Sequence, residues 1–302
     1  MRYTFKQFRK QFPNDDVCLE YIFKARFGTE PICPICKKAG FFYKVKNRKC
    51  YACSCGYQIS PTTNTIFHKS ATKLTDWLFA IYLMSTSKNG VSAKELERHL
   101  GTTYKTAWRI AHKIRGLMKQ DNEILKGTIE VDEMYVGGSS KNTLRKKRIK
   151  KTAVMGMVSR EGKSKAQVVE EADTRTAMKF IKKNIRAGSK IISDDSYIYH
   201  KVKKLGFSHS SIRHSKDKYV KGNIYTNSIE GFWSQIKRSI HGTYHSVSPK
   251  HLQSYVDEFS FQYNNRFSEM SLFETLLSRL CGQHALKGQK SVSLKLRKEV
   301  FS

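Results

Sequence analysis

The chain has 302 residues, 56 of them Lys or Arg against 25 Asp or Glu, for a formal charge of +31 at pH 7. Hydrophobic residues make up 39%, enough to bury cores for about two domains, which excludes a wholly disordered chain. No stretch approaches the ~20 uncharged apolar residues of a bilayer span and the N-terminus carries no apolar signal run, so a soluble intracellular protein is expected, and so large a positive surplus points to nucleic acid as partner.

Residues 1–30 carry Phe5, Phe8, Phe12, Val17, Tyr21 and Phe23 at helical spacing and are expected to form short helices. Five of the seven cysteines then crowd between Cys33 and Cys55. Cys33-Pro-Ile-Cys36 is the tight turn that lets two thiolates face one Zn²⁺, and a second cysteine-rich turn follows a hairpin-like stretch, the pattern of a zinc ribbon. Four ligands are needed. The second turn offers Cys53 with either Cys55 or Cys50; Cys55 is favoured because Cys55-Gly-Tyr-Gln58 reads as the end of a zinc knuckle. So short a module has too little core to fold without a staple.

After the ribbon, Leu74–Met84 is apolar almost all round and suits a buried helix. Val91–Leu100, a Gly101-Thr-Thr turn and Tyr104–Arg115 then read as a helix-turn-helix. Thr103, Tyr104, Lys105 and Arg109 are its candidates for contacting DNA, and Ala107, Ile110, Ala111 and Ile114 its buried side.

From about Gly127 the pattern changes to strands. Thr128–Val136, Thr152–Val158 and Ala166–Val169 are expected strands, Thr174–Arg186 a helix, and Lys190–Asp194 a short strand ending in acid. Between the first two strands, Lys141–Lys151 holds seven basic residues and no acid; Arg145, Lys146, Lys147 and Arg148 are candidate phosphate contacts. In so basic a chain, acids at strand ends stand out. Asp132 lies in the first strand and Asp194 ends the fourth. Glu230 lies in Thr226–Arg238, a segment whose Ile229, Phe232, Trp233, Ile236 and Ile240 form one apolar stripe. Glu230 and Lys237, seven apart, leave the same side of that helix beside the stripe. Three carboxylates converging at a sheet edge would make an oxygen-rich site for two Mg²⁺ or Mn²⁺ ions suited to phosphodiester displacement. The structural alternative is that Asn227-x-x-Glu230 is a helix capping box, that Asp194-Asp195-Ser starts a helix and that Asp132 is an ordinary strand residue.

Six ordered motifs resemble the DDE transposases of the ISXO-type bacterial insertion-sequence group, relatives of the Merlin elements. They are Cys33-Pro-Ile-Cys36, Thr65-Ile-Phe-His68, Glu130-Val-Asp-Glu-Met-Tyr-Val-Gly-Gly138, Ser193-Asp194, Tyr225–Trp233, and Gly242–Leu252 leading to Tyr255–Arg266. The resemblance implies an α/β, RNase H-like catalytic domain of the retroviral-integrase type, preceded by a zinc ribbon and a helix-turn-helix domain. It further implies binding to terminal inverted repeats, two-metal cleavage of transposon ends and strand transfer by the freed 3′-hydroxyl. Asp132, Asp194 and Glu230 would hold two Mg²⁺ or Mn²⁺ ions, with Asn227 an alternative third residue; Lys237, with Arg238, would contact end DNA. One structural Zn²⁺, double-stranded DNA as partner, a homodimer or larger assembly on DNA, and a cytoplasmic, nucleoid-associated setting complete the expectation. His241, His245 and His251 are read as packing or phosphate contacts. The competing reading is a zinc-ribbon/helix-turn-helix regulator with an inactive RNase H-like domain. The expected segments are 1–70 (N-terminal helices and ribbon), 71–126 (helix-turn-helix), 127–270 (catalytic) and 271–302 (basic tail), with the last helix before that tail starting at Ser248-Pro249.

Overall fold

A computed structural model describes residues 3–137, 151–212 and 226–282. The chain divides into two compact units, one drawn from the segments to Ser87, Ala93–Leu117 and from Ser268 on, the other from Lys88–Ser92 and Met118–Phe267.

In the first unit, α1 (Phe5–Gln11) and α2 (Asp15–Phe27) lead into an antiparallel sheet of β1 (Phe42–Lys44), β2 (Tyr51–Cys53) and β3 (Gln58–Ile59). Helix α2 underpins this sheet: Phe23 stacks on Tyr51 with ring centroids 4.0 Å apart, and Arg26 donates to the carbonyls of Pro61 and Thr63. Helix α3 (Leu74–Thr86) buries Leu74, Trp77, Leu78, Ile81 and Met84, as its apolar sequence requires. It starts without a side-chain cap of its own. Asp15 does that work from 59 residues away, accepting the Leu74 and Thr75 amides at 3.0 Å each. Helices α4 (Ala93–Leu100) and α5 (Tyr104–Leu117) follow, joined by Gly101–Thr103.

The expected basic tail is corrected at its start. Leu272–Gly282 is a helix, α9, whose Phe273, Leu276, Leu277 and Leu280 are buried. Phe273 lies among Tyr3, Phe8, Phe12 and Tyr82. Its apolar residues are spaced to cover α2 and α3, so it belongs to the first unit rather than to a solvated extension. The Asp15 cap and the aromatic cluster also tie the segments on either side of the expected boundary near 70 into this one unit.

The second unit is a five-stranded sheet in the order β6-β5-β4-β7-β8, from β4 (Thr128–Val136), β5 (Thr152–Ser159), β6 (Ser164–Val169), β7 (Lys190–Asp194) and β8 (Ser208–Ile212). The β4–β5 and β5–β6 pairs are antiparallel; β4–β7 and β7–β8 are parallel. In strand sequence this is 3-2-1-4-5, with three antiparallel strands followed by two parallel ones, the arrangement of an RNase H-like sheet. Strand alternation assigns the faces. Ile129, Val131, Met155, Met157 and Ile191 pack under α6 (Thr174–Asn184). Met134, Val154, Val158 and Ala166 pack against α7 (Asn227–Ser239) and α8 (Pro249–Asn264). The predicted stripe of α7, Ile229, Phe232, Trp233, Ile236 and Ile240, is buried in that second layer. Strand β8 is not expected from the sequence: Ser-His-Ser-Ser-Ile carries a single large apolar residue and, among the described residues, pairs with β7.

Candidate active site and cysteine cluster

The cysteine cluster follows from the ribbon's two turns. The sulfurs of Cys33, Cys36, Cys53 and Cys55 all lie within 4.8 Å of one another. The Cys33–Cys55 and Cys36–Cys53 separations are 3.6 Å, and none of the four is in a disulfide. A tetrahedron with ~2.3 Å metal–sulfur bonds has edges of about 3.8 Å, so the quartet has the size and donor chemistry for Zn²⁺. Hydrogen bonding to the Cys55 backbone, helped by the neighbouring thiols, lowers the Cys53 thiol to about 7. Cys50 is directed elsewhere, with its sulfur 3.9 Å from Gln58 Oε1.

Helix α5 presents the side expected of it. Ala107, Ile110, Ala111 and Ile114 are fully buried, whereas Thr103, Tyr104, Lys105 and Arg109 are exposed. Thr103 Oγ1 accepts from the Thr106 amide at 3.4 Å and so starts the helix. Arg145, Lys146, Lys147 and Arg148 lie outside the described residues.

The acids sit on the two central strands of the second unit. Strand β4 pairs with β7 only from Thr128 to Val131. Asp132 is the next residue on β4, and Asp194 is the residue after the last paired one on β7, so both stand where the central strands part. Burial pushes Asp132 up to about 7, with the adjacent charges of Asp194 and Glu133 adding to the rise, against the opposing hydrogen bonds of the Glu133 backbone and the Trp233 indole. Trp233 Nε1 donates to its Oδ2 at 3.0 Å. Asp194 Oδ1 accepts the Ser196 amide at 3.2 Å, turning the chain into the short 3-10 helix Tyr197–Tyr199. Behind it, buried Ser193 donates to the Asp194 carbonyl at 2.7 Å and lies 2.9 Å from His209 Nε2. With its one proton committed to the carbonyl, Ser193 must accept from His209.

Glu230 is exposed on the first turn of α7 and accepts from Thr226 Oγ1 at 3.0 Å. Among the described residues, the cysteine quartet is the only group of three or more metal-capable side chains drawn within 4.8 Å. The charge of Asp194 acts on Asp132, whereas Glu230 is hydrogen-bonded to Thr226. Lys237 and Arg238 are exposed in the last turn of α7, and Asn227 is exposed at its start.

The capping-box alternative is corrected. Thr226, not Asn227, is the cap residue of α7, and its side chain makes no capping bond. The cap comes from strand β4. Glu130, fully buried, accepts the amides of Ser228 and Ile229 at 2.9 and 3.0 Å and the Ser228 hydroxyl at 3.0 Å, with Arg160 Nε 3.5 Å away. Glu130 and Asp132 share one face of β4, so α7 is pinned to that strand twice. Two strand residues advance ~6.7 Å; the four to five helical residues from Ser228 and Ile229 to Trp233 advance ~6–7.5 Å. Helix and strand therefore run in matched register, which fixes the start of α7, and Glu230 with it, relative to Asp132.

Sequence reasoning missed two acids here. Glu130 was hidden because its role depends on a helix 98 residues away. Glu133 faces the α6 side, where buried Tyr199 donates to its Oε2 at 2.9 Å. Burial raises Glu133 despite that bond, and the charge of Asp194 adds to the rise. Its signal was adjacency to Asp132. Its charge adds to those of Asp132 and Asp194 at this edge of the sheet, where Asp132 and Asp194 are carboxylates of the kind that suit a hard divalent cation.

Among the described residues no helix is long and apolar enough to cross a membrane. Residues 124–264 match the ISXO2-like transposase domain model and residues 13–58 the transposase zinc-ribbon domain model. The chain is 21% identical over 275 residues to an uncharacterized protein in transposable element ISH50 of Halobacterium salinarum, covering 84% of this chain and 92% of that protein. Among solved structures, the catalytic core domain of BIV integrase aligns at 14% identity over 50% of this chain and 94% of that one, with a TM-score of 0.32. A chain of the simian T-cell lymphotropic virus intasome in complex with PP2A regulatory subunit B56 gamma aligns at 13% over 68% and 75%, with a TM-score of 0.31. The two matched domains, in the order ribbon then sheet, span well over half of the 302 residues, and the chain belongs to the ISXO2-like transposases with a zinc ribbon.

Proposed function

We propose that this chain is an active DDE transposase: a divalent-metal-dependent enzyme that binds the terminal inverted repeats of its element as double-stranded DNA, cleaves the ends and transfers them into target DNA. The observation that carries the reading is the pair Asp132 and Asp194 at the parting of the two central strands, acids set together in a chain of charge +31. Those two residues, with Glu230 as third, would hold Mg²⁺ or Mn²⁺; Asn227 is the alternative third residue. When bound, such ions supply positive charge for activating the attacking hydroxyl and stabilising the departing 3′ oxygen. Glu130 and Trp233 hold α7 against β4, so that Glu230 and Lys237 are presented on the α7 side of the sheet. Lys237 and Arg238 would position end DNA through its phosphates. Thr103, Tyr104, Lys105 and Arg109 on α5 would read or grip the repeats, with Arg145, Lys146, Lys147 and Arg148 adding phosphate contacts. One Zn²⁺ on Cys33, Cys36, Cys53 and Cys55 would hold the ribbon in shape. Joining two ends calls for a dimer or larger assembly on DNA, acting in the cytoplasm at the nucleoid.

The test uses the full chain and the DNA that flanks its gene on both sides. With Mg²⁺ or Mn²⁺, the wild type should nick and join that DNA. Asp132→Asn should bind it with unchanged affinity and do neither. A wild type that binds but never nicks with either ion would favour a DNA-binding regulator with an inactive RNase H-like domain.

A further inference from the structure

Strand β5 contains a glycine where the sheet is fully covered, in Thr152-Ala-Val-Met-Gly-Met-Val158. Glycine in a strand interior gives up packing and costs about 0.5–1 kcal/mol of backbone entropy relative to Ala, so it marks a close approach by something else. Here that something is Trp233. A Cβ on Gly156 would stand 2.3 Å from Trp233 Cη2 and 2.4 Å from Cζ2, inside any tolerable contact. Gly156 is also the residue directly opposite Asp132 in the β4–β5 register. The indole therefore lies over the strand pair at the position of the acid, is itself 3% exposed, and spends its single N–H on Asp132 Oδ2 at 3.0 Å. A buried indole N–H needs an acceptor, and a carboxylate so held loses rotational freedom.

We propose that Trp233, seated on the bare backbone of Gly156, is a positioning residue that, by holding Oδ2, locks the carboxylate of Asp132 in the orientation that receives a divalent cation. The inference rests on the proposed function, since it takes Asp132 to be a metal ligand, and it adds a residue pair that acts through Asp132 without touching DNA. Partners that orient a ligand are worth 10–100-fold in metal affinity or activity when removed.

The experiment titrates the full chain with Mn²⁺ alone, reading free ion by electron paramagnetic resonance. In parallel, the Mg²⁺ dependence of cleavage is measured on the gene-flanking DNA. Trp233→Phe keeps an aromatic ring and removes the N–H. It should weaken Mn²⁺ binding at this site by 10-fold or more and raise the Mg²⁺ needed for half-maximal cleavage by a similar factor, with most of the maximal rate recovered at saturating metal. Gly156→Ala, which displaces the indole from the other side, should do the same. The wild type gives a readout that needs no variant to fold for activity: the Trp233 indole N–H resonance, assigned by its absence in Trp233→Phe, should shift when Mg²⁺ is added. Unchanged Mn²⁺ affinity in a folded Trp233→Phe, or an indole resonance unmoved by Mg²⁺ at concentrations that support cleavage, would overturn the positioning role while leaving the transposase reading intact. A wild type that neither binds Mn²⁺ outside the ribbon nor cuts would overturn both.

Discussion

The buried cap on α7 makes a quantitative prediction. Glu130 has no solvent exposure, and three donors from the first turn of α7 converge on it while Arg160 Nε lies 3.5 Å away. Glu130→Gln keeps the shape and one carbonyl-type oxygen. That oxygen can still take the Ser228 and Ile229 amides, as neutral rather than charge-assisted bonds, at a loss of about 1 kcal/mol each. Its NH₂ then faces Arg160 in place of a negative charge. The sum is about 2–3 kcal/mol. Glu130→Ala leaves the two amides and Arg160 without this partner and opens a cavity, for about 4 kcal/mol. For a unit of this size, each kcal/mol lowers the melting temperature by about 2–4 °C. Urea and thermal melts of the full chain should therefore order wild type, Gln and Ala, with Gln down by about 4–12 °C. A Gln variant within 1 °C of wild type, or Ala no worse than Gln, would refute the claim that α7 is held by a carboxylate from β4.

Three further predictions follow from separate parts of the molecule. Cys55→Ser should lose the ribbon's zinc, whereas Cys50→Ser should retain about one zinc per chain by elemental analysis; the reverse pattern would reassign the ligand set. Because Asp132 sits near 7 in the folded chain against ~3.9 unfolded, the folded state holds the extra proton between those values. In Mg²⁺-free buffer, wild-type stability should fall as pH rises from about 4 to about 7 and then level off, by up to about 4 kcal/mol. Asp132→Asn should flatten that component; equal pH profiles for the two proteins would contradict it. Finally, Lys105→Ala and Arg109→Ala should each weaken DNA binding and reduce the slope of log K against log salt by about 1, whereas unchanged slopes would remove α5 from the interface.

How much of this was legible in the sequence depended on how local each cause is. The Cys-x-x-Cys turn, the stripe of α7 and the Gly101 turn between α4 and α5 are set by residues within a few positions of one another, and the structure places them as periodicity and spacing imply. Asp132, within β4, and Asp194, at the end of β7, were visible because acids are scarce in this chain. What was illegible was set at long range. Helices α3 and α7 both lack side-chain caps of their own and borrow carboxylates, from Asp15 and Glu130, that lie 59 and 98 residues away. Nothing near either helix announces the loan, and a local reading puts the cap of α7 on Asn227. Strand β8, which among the described residues pairs with β7 and ends the sheet order, is polar and so carries little apolar signal. Helix α9 looked like the head of a basic tail, because its apolar residues acquire meaning only from the aromatic cluster of α1 and α3. Gly156 was unremarked because the ring that excludes a side chain there comes from Trp233, 77 positions further on.

The central claim is that Asp132, Asp194 and Glu230 share divalent cations. Anomalous scattering from Mn²⁺ in crystals of the chain bound to its end DNA reads this directly. The account predicts anomalous density between Asp132 and Asp194, with a Glu230 oxygen brought to within coordination distance of it. Anomalous density that is absent from these acids, or that has no Glu230 oxygen within coordination distance, would contradict it.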